Sequence, residues 1–569
     1  RGHSKFHAWS FRTTRGVLTP MSFGLLRGVL FFFRVVNSEG GFVRYREHMY
    51  YISELTLIQL KIISRRDIMC GIFTLFGSTV DVSSKLLTHR GPNDYRTVTL
   101  GKCQMDFYRL SINDLTDAGM QPFIQNESML ICNGEIYNHK NFRTGGEKGN
   151  SDCEVLLPMI NKYGIMKTVE KINGDFAMVY TTGDRVIAAR DPVGVRPMFY
   201  TRYDTNSIAF ASEAKALLFL GTEVHVFPPG YVYDSYIDDF MCYYNAYWNV
   251  TSGRCLPVKD IKQTLINAVY TRLDNTERDI GFLLSGGLDS SLIASIASGK
   301  LGKIKTFSIG LADSPDLAAA RKVAEYLDTD HTEVTFTTDE GISTITDVIK
   351  STETYDTTTI RASTPMWLLC KYIKEKTDCR YIFSGEGADE LLGGYLYFHK
   401  APGVIEFAHE NMRRLKLIHQ FDGLRADRCA SAHGLDLVVP FLDKHFIDVC
   451  MRINQKFKMH TIEKNVLRSL FMGYLPDDIL WRRKDGMSDA VGTNWVDTIK
   501  TYAEKNVSSK EFRMIVERAN GYNIPLTKEE AMYRNIFWQN FGKDSDYLIS
   551  EIWRPKWTNV TDPSARLLM

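Results

Sequence analysis

Short apolar runs divide the second half of the chain into alternating strands and helices. Such runs, bounded by glycine or charged residues, predict buried strands, whereas longer amphipathic stretches predict helices. The predicted strands are 279–284, 305–310, 334–336 and 380–384, and the predicted helices include 292–297 and 314–326. This alternation is typical of an α/β fold with a doubly wound parallel sheet, here with additional helices.

A separate domain precedes this sheet. The apolar run 71–77 predicts a buried strand, and 226–248 predicts the strands that close the domain. Turn-forming residues predict a linker over 251–258. The expected organisation is therefore a leader over 1–69, a first domain over 70–250, a second domain over 259–545 and a C-terminal tail over 546–569.

Composition places few limits on function. The chain has 569 residues and a formal net charge of +2, which gives no indication of a nucleic-acid surface. Ten cysteines are scattered without CxxC spacing, which argues against a zinc site or a thioredoxin-like motif. Reduced thiols and a cytoplasmic location are the expectation for a chain of this length.

The first 68 residues differ from the rest, because they carry 11 Lys and Arg but 4 Asp and Glu. Their apolar run, 24–36, is too short to span a membrane and is interrupted by Arg27 and Arg34. An Arg-rich, acid-poor segment is compatible with a transit peptide. The alternative is that translation starts at Met69, or that a protease removes the leader, and the chemistry of Cys70 favours this alternative.

Cys70 would acquire a free α-amine if the chain before it were absent. Such an amine has a pKa of about 7.7–8.0, so it could accept the thiol proton near neutral pH without a histidine. A lone cysteine is most often a small core residue, and the interpretation therefore rests on the motifs around it. These are His89-Arg-Gly-Pro-Asn-Asp94, Arg109-Leu-Ser-Ile112, Asn133-Gly-Glu-Ile-Tyr-Asn138, Ser151-Asp-Cys-Glu154, Asn173-Gly-Asp-Phe-Ala177 and Arg190-Asp-Pro-Val-Gly-Val-Arg-Pro197.

In this order and spacing the motifs resemble the glutamine amidotransferase domain of the N-terminal-nucleophile class, an α+β sandwich with αββα layers. The resemblance implies that Cys70 attacks the side-chain amide of glutamine. The Asn133 side chain and the Gly134 N–H would hold the developing oxyanion. The glutamine itself would be bound at its α-carboxylate by Arg109 and at its α-ammonium group by Glu135 and Asp152.

A glycine-rich turn marks the second site. Ser285-Gly-Gly-Leu-Asp-Ser-Ser291 lies between a predicted strand and a predicted helix, where backbone N–H groups and a helix N-terminus favour phosphate. A plain β–α turn is the simpler interpretation, but the length of the motif argues against it. The turn resembles the pyrophosphate-binding loop of ATP pyrophosphatases, which split ATP between the α and β phosphates.

Further motifs at 353–365, 384–390, 394–400 and 439–444 extend the resemblance. Together with the first domain, they resemble the glutamine-hydrolysing asparagine synthetases from about residue 70 to the end. The resemblance implies that glutamine, aspartate and ATP are the substrates. It also implies a mostly apolar passage for ammonia between the two sites, a Mg²⁺ ion and a homodimer.

The resemblance also assigns roles in the second domain. ATP would be bound by Leu283, Ser285, Gly287, Asp289, Ser290, Ile309, Ser384, Gly385 and Arg425, and Mg²⁺ by Asp289 and Asp389. Thr358, Thr359 and Arg361 would place aspartate. Glu386 would accept a proton from ammonia as it attacks the β-aspartyl-adenylate, and Lys484 would neutralise charge at the α-phosphate.

Two other functions are compatible with parts of this pattern. A β-lactam-synthetase-like enzyme would form an amide from an acyl-adenylate, but such relatives typically lack the working cysteine. A degenerate, non-enzymatic relative would not be expected to keep all five of the residues Cys70, Asp289, Glu386, Asp389 and Lys484. The sequence indicates no nucleic-acid partner and no membrane attachment.

Overall fold

The computed structural model describes residues 70–78, 87–91, 94–245, 257–483, 491–492, 494–560 and 562, with the backbone of four short strands nearer the start. The chain divides into two compact units, Arg1–Arg66 and Asp67–Met569. In the first unit β1 (Arg12–Thr13) pairs with β2 (Gly16–Val17), and β3 (Thr19–Met21) pairs with β4 (Phe32–Arg34). The rest of the expected leader, residues 251–256 of the expected linker, Lys484 and residues 563–569 of the tail lie outside the described residues.

Two six-stranded antiparallel sheets form the first domain of the second unit. One sheet has the order β16-β15-β11-β10-β9-β8, and the other has the order β14-β12-β13-β5-β7-β6. The strands are β5 (Gly71–Phe76), β6 (Asp94–Leu100), β7 (Cys103–Arg109), β8 (Phe123–Gln125), β9 (Ser128–Ile136), β10 (Gly174–Thr181), β11 (Val186–Arg190), β12 (Phe199–Asp204), β13 (Ser207–Ala211), β14 (His225–Val226), β15 (Tyr231–Asp234) and β16 (Asp239–Cys242).

The two sheets stack on a shared apolar layer. Side chains such as Ile72, Met105, Val179 and Phe210 meet in this layer and are fully buried. Helices α1 (Leu156–Tyr163) and α2 (Ile165–Lys171) cover the outer face of the β9–β10 sheet. The outer face of the β5–β7 sheet joins the apolar core of the second domain. The expected sandwich of stacked sheets is therefore confirmed.

The second domain is built on a five-stranded parallel sheet with the order β19-β18-β17-β20-β21. Its strands are β17 (Ile280–Leu283), β18 (Lys305–Gly310), β19 (Asp330–Thr335), β20 (Tyr381–Phe383) and β21 (Asp436–Val438). The order runs outward in both directions from β17 and β20, so the sheet is doubly wound, as expected. The crevice for a ligand in such a sheet lies beyond the carboxyl ends of these two central strands.

Helices surround this sheet. They are α3 (Asp260–Leu273), α4 (Leu288–Leu301), α5 (Pro315–Leu327), α6 (Thr338–Thr352), α7 (Thr357–Lys376), α8 (Ala388–Leu392), α9 (Val404–Leu417), α10 (Asp422–Ser431), α11 (Lys444–Arg452), α12 (Asn465–Leu470), α13 (Asp477–Leu480), α14 (Trp495–Asn506), α15 (Ser509–Arg518) and α16 (Lys528–Phe541). Within the described part of the chain, every helix is too short or too polar to cross a bilayer.

Buried ion pairs join the two domains. Arg196 of the first domain lies 2.6 Å from Asp436 at the start of β21, and Asn173 donates to Asp443, which also pairs with Arg272 at 2.8 Å. These charges are almost completely buried, so removing one partner of a pair would leave the other uncompensated at a large cost. The relative position of the two domains is therefore fixed by specific contacts as well as by apolar burial.

Candidate active sites

The Cys70 thiol is held by main-chain groups at the start of β5. Because β5 pairs with β7, Cys70 lies next to the residues that follow Arg109. The Leu110 N–H donates to Sγ at 3.2 Å, and the thiol donates to the Leu110 carbonyl at 3.3 Å. Burial raises the pKa of the Cys70 thiol to about 11. The thiol is therefore protonated at neutral pH and needs a base to become a nucleophile.

Asn133 and Gly134 lie near the end of β9, opposite Ala177 and Phe176 of β10. Asn133 is buried, and its Nδ2 has no hydrogen-bond partner among the described residues. A buried amide donor without a partner is costly unless a ligand or water satisfies it. At Gly134 a Cβ would lie 2.1 Å from the Asp175 carbonyl oxygen, so a side chain cannot be accommodated there. The arrangement suits an oxyanion pocket, as the sequence predicts.

Two buried carboxylates, Glu135 and Asp152, lie close enough to affect each other's ionisation. Burial, together with the neighbouring Asp152 charge, raises the pKa of Glu135 well above its usual value, and burial also raises the pKa of Asp152. Glu135 accepts hydrogen bonds from Asn113 at 2.6 Å and from Asn275 at 2.7 Å. Two such carboxylates form a site that a ligand cation would stabilise.

Arg109 ends β7 and is buried. It donates to the main-chain carbonyl of Asp114, and its positive charge lowers the pKa of the Cys70 thiol. The structure thus brings Cys70, Arg109, Glu135 and Asp152 within electrostatic reach of one another. A carboxylate and an ammonium group of one small ligand would both find a complementary charge here.

The predicted phosphate loop connects β17 to α4. Within it the Ser285 and Ser290 hydroxyls lie 3.0 Å apart, and the Gly287 N–H donates to Ser285 Oγ. Gly286 has φ of +69°, and a Cβ there would lie 2.4 Å from the Ala320 main-chain nitrogen. Only glycine fits this position, because α5 packs directly against the turn.

The turn after β20 lies against this loop. A Cβ at Gly385 would lie 2.9 Å from the Ser290 N–H nitrogen, so the two turns meet at the carboxyl ends of the central strands. Leu283 and Ile309, at the ends of β17 and β18, are almost completely buried beside them. The residues predicted to bind ATP are thus brought together at the switch point of the sheet, where nucleotides bind in doubly wound folds.

Glu386 lies in a polar network beside these turns. Ser384 donates to Glu386, and Arg425 of α10 lies 3.4 Å from the same carboxylate. Arg425 also pairs with Asp422 at the start of α10, and Tyr395 donates to Asp422 at 2.6 Å. The network fixes the Glu386 carboxylate at the sheet edge, where the sequence predicts a proton acceptor.

Lys464 lies between the two predicted metal ligands, although the sequence did not predict it as part of the site. Its ammonium group contacts Asp289 and lies 2.6 Å from Asp389, the two predicted metal ligands. Lys464 is almost completely buried, and the two carboxylates raise its pKa against the opposing effect of burial. Lys464 precedes α12 in a left-handed conformation, which gives no local sequence signal. The two carboxylates therefore converge on one cationic position.

The residues that the sequence predicts to bind the substrate aspartate lie at the start of α7. The Thr358 hydroxyl has no partner among the described residues, whereas Thr359 donates to Asp356 at 2.9 Å. Arg361 is buried and forms a bidentate pair with Glu529. Its remaining N–H groups reach the Asp562 carboxylate at 3.0 and 3.3 Å. The sequence did not predict either carboxylate, and both come from distant parts of the chain.

Comparison with known families covers both domains. The family model of the glutamine amidotransferase domain matches residues 69–264. The family model of asparagine synthase matches residues 260–413 and 402–561. The two matches follow the order of the two sites described above.

Curated relatives match over most of their length. The asparagine synthetase [glutamine-hydrolyzing] of Mus musculus is 39% identical over 556 residues, which is 88% of this chain and 98% of the relative. Asparagine synthetase [glutamine-hydrolyzing] 3 of Arabidopsis thaliana is 40% identical over 552 residues, with 88% and 94% covered.

Two of the similar solved structures match only distantly. The glutamine phosphoribosylpyrophosphate amidotransferase of B. subtilis is 18% identical, covering 42% of this chain and 65% of that chain, with a TM-score of 0.26. NMN synthetase from Francisella tularensis is 14% identical, covering 53% of this chain and 99% of that chain, with a TM-score of 0.25. The assignment rests instead on the family models and on the curated relatives, whose length this chain nearly spans. Because both family models match and the relatives are about 39% identical over most of their length, the chain belongs to the glutamine-hydrolysing asparagine synthetase family.

Proposed function

We propose that the protein makes asparagine from aspartate and ATP with glutamine as nitrogen donor, releasing glutamate, AMP and pyrophosphate. The proposal rests on two sites that lie in two domains joined by buried polar contacts. One site combines a thiol, an unpartnered buried amide and a pair of carboxylates. The other combines two glycine-rich turns at the switch point of a parallel sheet. The acyl-adenylate alternative that lacks glutamine hydrolysis does not account for the first site.

In the first half-reaction the Cys70 thiolate attacks the glutamine side-chain amide. The C–N bond breaks, ammonia leaves with the thiol proton, and water then releases glutamate from the thioester. The Asn133 amide and the Gly134 N–H stabilise the oxyanion, and one such donor contributes about 2.7–4 kcal/mol in related chemistry. Arg109, Glu135 and Asp152 hold the two charged groups of the amino acid.

The Cys70 thiol needs a base that its hydrogen-bond partners do not supply. Both hydrogen bonds of Sγ involve the Leu110 main chain, so neither supplies a base. The α-amine released by cleavage before Cys70 would be close to the thiol and would have a suitable pKa. We therefore propose that the working protein begins at Cys70.

In the second half-reaction the aspartate β-carboxylate attacks the α-phosphate of ATP and pyrophosphate leaves. Ammonia then attacks the acyl carbon, Glu386 takes a proton, and the C–O bond to AMP breaks. Ser285, Gly287 and Ser290 hold pyrophosphate, and Leu283, Ile309, Ser384 and Gly385 surround the nucleotide. Arg425 and Lys484 neutralise phosphate charge, while Thr358, Thr359 and Arg361 place aspartate.

Magnesium fits the two carboxylates of this site. Mg²⁺ is usually held by one or two carboxylates together with substrate phosphates, and Asp289 and Asp389 already converge on the Lys464 ammonium. Asp289 and Asp389 would hold the ion, and its chemistry there would be to offset the charge of the ATP phosphates. Lys464 supplies a positive charge at the same two carboxylates in the structure without the ion.

Two further aspects of the proposal concern the whole protein. Nine free cysteines in the described residues are compatible with the reducing cytoplasm, which we propose as its location. A homodimer and an apolar ammonia passage are proposed from the resemblance to the family.

The test is one assay with ATP, Mg²⁺ and aspartate, supplied with either glutamine or ammonium. Asparagine and pyrophosphate should form with both nitrogen sources. Cys70→Ala should abolish the glutamine-driven reaction and preserve the ammonium-driven one. A Cys70→Ala protein that still used glutamine would overturn the assignment of the nucleophile.

A further inference from the structure

Arg90 links the nucleophile to the second domain. Its Nε donates to the Cys70 main-chain carbonyl at 3.1 Å, and the side chain is fully buried. Its other nitrogens pair bidentately with Asp427 at 2.9 and 3.0 Å, and one of them also reaches Glu213 at 2.9 Å. A bidentate pair fixes the guanidinium plane as well as its position. Asp427 thus helps to set where Arg90 holds the Cys70 backbone.

The partner of Arg90 belongs to the synthetase domain. Asp427 lies on α10, as does Ser431, whose hydroxyl accepts from Arg90 at 3.0 Å. The same helix carries Arg425, two residues before Asp427. Arg425 pairs with Glu386 beside the turns predicted to bind the nucleotide. One helix therefore contacts both the support of the thiol and the predicted proton acceptor.

A second contact reaches the glutamine pocket from the same domain. Asn275 follows α3 and donates to Glu135 at 2.7 Å. The Arg278 guanidinium, just before β17, donates to the Ser111 carbonyl at 2.6 Å, next to the segment that holds the thiol. β17 leads directly into the phosphate loop, so this connection also joins the two sites through a few residues.

From these contacts we infer that the synthetase domain completes the glutaminase site. Asp427 is a positioning residue for the Cys70 nucleophile, acting through Arg90, and Asn275 is a positioning residue for the Glu135 carboxylate. The inference rests on the proposed function, in which Cys70 attacks glutamine and Glu135 holds its ammonium group. The two residues act at different ends of the substrate, so their loss has different kinetic effects.

The experiment measures glutamine hydrolysis and ammonium-driven asparagine formation in Asp427→Asn, Asn275→Ala and the parent enzyme. Asp427→Asn should lower kcat for glutamine hydrolysis by roughly 10–100-fold, since misplacing a reacting group by about 1 Å has an effect of this size. Asn275→Ala should raise KM for glutamine by about tenfold with a smaller change in kcat, as expected for a lost hydrogen bond to a charged group. Ammonium-driven synthesis should stay within about threefold of the parent in Asn275→Ala.

A control separates positioning from general weakening of the interface. Asp443 is also a buried interdomain carboxylate, bonded to Arg272 and Asn173, and its contacts among the described residues do not include Arg90 or Cys70. Asp443→Asn should lower the melting temperature but leave kcat for glutamine hydrolysis within about twofold. Equal losses of kcat in Asp427→Asn and Asp443→Asn would overturn the inference.

A thiol-labelling measurement covers the case in which Asp427→Asn fails to fold. The rate at which 6-diazo-5-oxo-norleucine, an electrophilic glutamine analogue, labels Cys70 should fall in Ser431→Ala, which removes one support of Arg90 and no charge. Unchanged labelling in Ser431→Ala, with an unfolded Asp427→Asn, would contradict the inference. If the parent enzyme itself neither hydrolyses glutamine nor reacts with the analogue, the proposed function has failed instead.

Discussion

Replacing Lys464 by methionine tests whether Asp289 and Asp389 form a cation site. Lys464→Met keeps a side chain close in length to the apolar stem of lysine and removes the charge. The two carboxylates would then face each other without the ammonium group that lies 2.6 Å from Asp389. Because their side chains are 19% and 16% exposed, water would relieve only part of their repulsion.

The expected magnitude follows from this burial. Removing one partner of a buried ion pair destabilises by about 3–5 kcal/mol, and the partial exposure of the carboxylates favours the lower value. A cooperative unit of about 300 residues unfolds with an entropy of about 0.6 kcal/mol/K, so a loss of about 3 kcal/mol lowers the melting temperature by about 5 °C. Mg²⁺ at ten times its Kd would restore about 1.4 kcal/mol, or about 2 °C.

Thermal melts with and without Mg²⁺, in the absence of nucleotide, measure both effects. Lys458→Met is the matched control, since Lys458 is equally buried but donates to the Asn411 amide, and burial lowers its pKa to about 7. The Lys458 variant should gain no response to Mg²⁺. A Lys464→Met protein that melts like the parent and does not respond to Mg²⁺ would show that Asp289 and Asp389 do not form a cation site.

Three further outcomes follow from the two sites. Asn133→Ala should lower the glutamine-driven rate by about 10²–10³-fold and spare the ammonium-driven rate, as steady-state assays with both donors would reveal. Because burial raises the pKa of Glu135, its carboxylate becomes protonated at a higher pH than usual; KM for glutamine should therefore rise as pH falls, and Glu135→Gln should flatten that profile. Asp562→Asn should lower KM for aspartate by about fivefold, because the Asp562 carboxylate occupies N–H groups of Arg361. The loss of one partly exposed ion pair is worth about 1 kcal/mol, which corresponds to this change. An unchanged or higher KM would show that Asp562 does not compete with the substrate.

The sequence predicted the frame of the second domain because the relevant signals are local. Apolar runs gave β17, β18 and β20 within a residue or two of their observed bounds, and glycine-rich turns follow β17 and β20. Parallel pairing then places the turns after β17 and β20 at one edge. The strand β21 was missed, since Asp436–Val438 is too short to stand out from the helices on either side.

The side chains that complete the sites could not be predicted in this way. Lys464 meets Asp289 across 175 positions of sequence, and Asp427 meets Arg90 across 337. Such pairs depend on how whole elements pack. The sequence around a single charged residue does not indicate which distant residue it will contact. The same holds for Arg361, whose predicted substrate-binding charge is already matched by Glu529 and Asp562.

In the proposed reaction an aspartyl-adenylate forms at the turns after β17 and β20. The most direct measurement follows ¹⁸O from the labelled β-carboxylate of aspartate during synthesis with ammonium. One labelled oxygen should appear in AMP and the other should remain in asparagine, with pyrophosphate as the second product. Formation of ADP and labelled inorganic phosphate, or of AMP without label, would show that no aspartyl-adenylate forms.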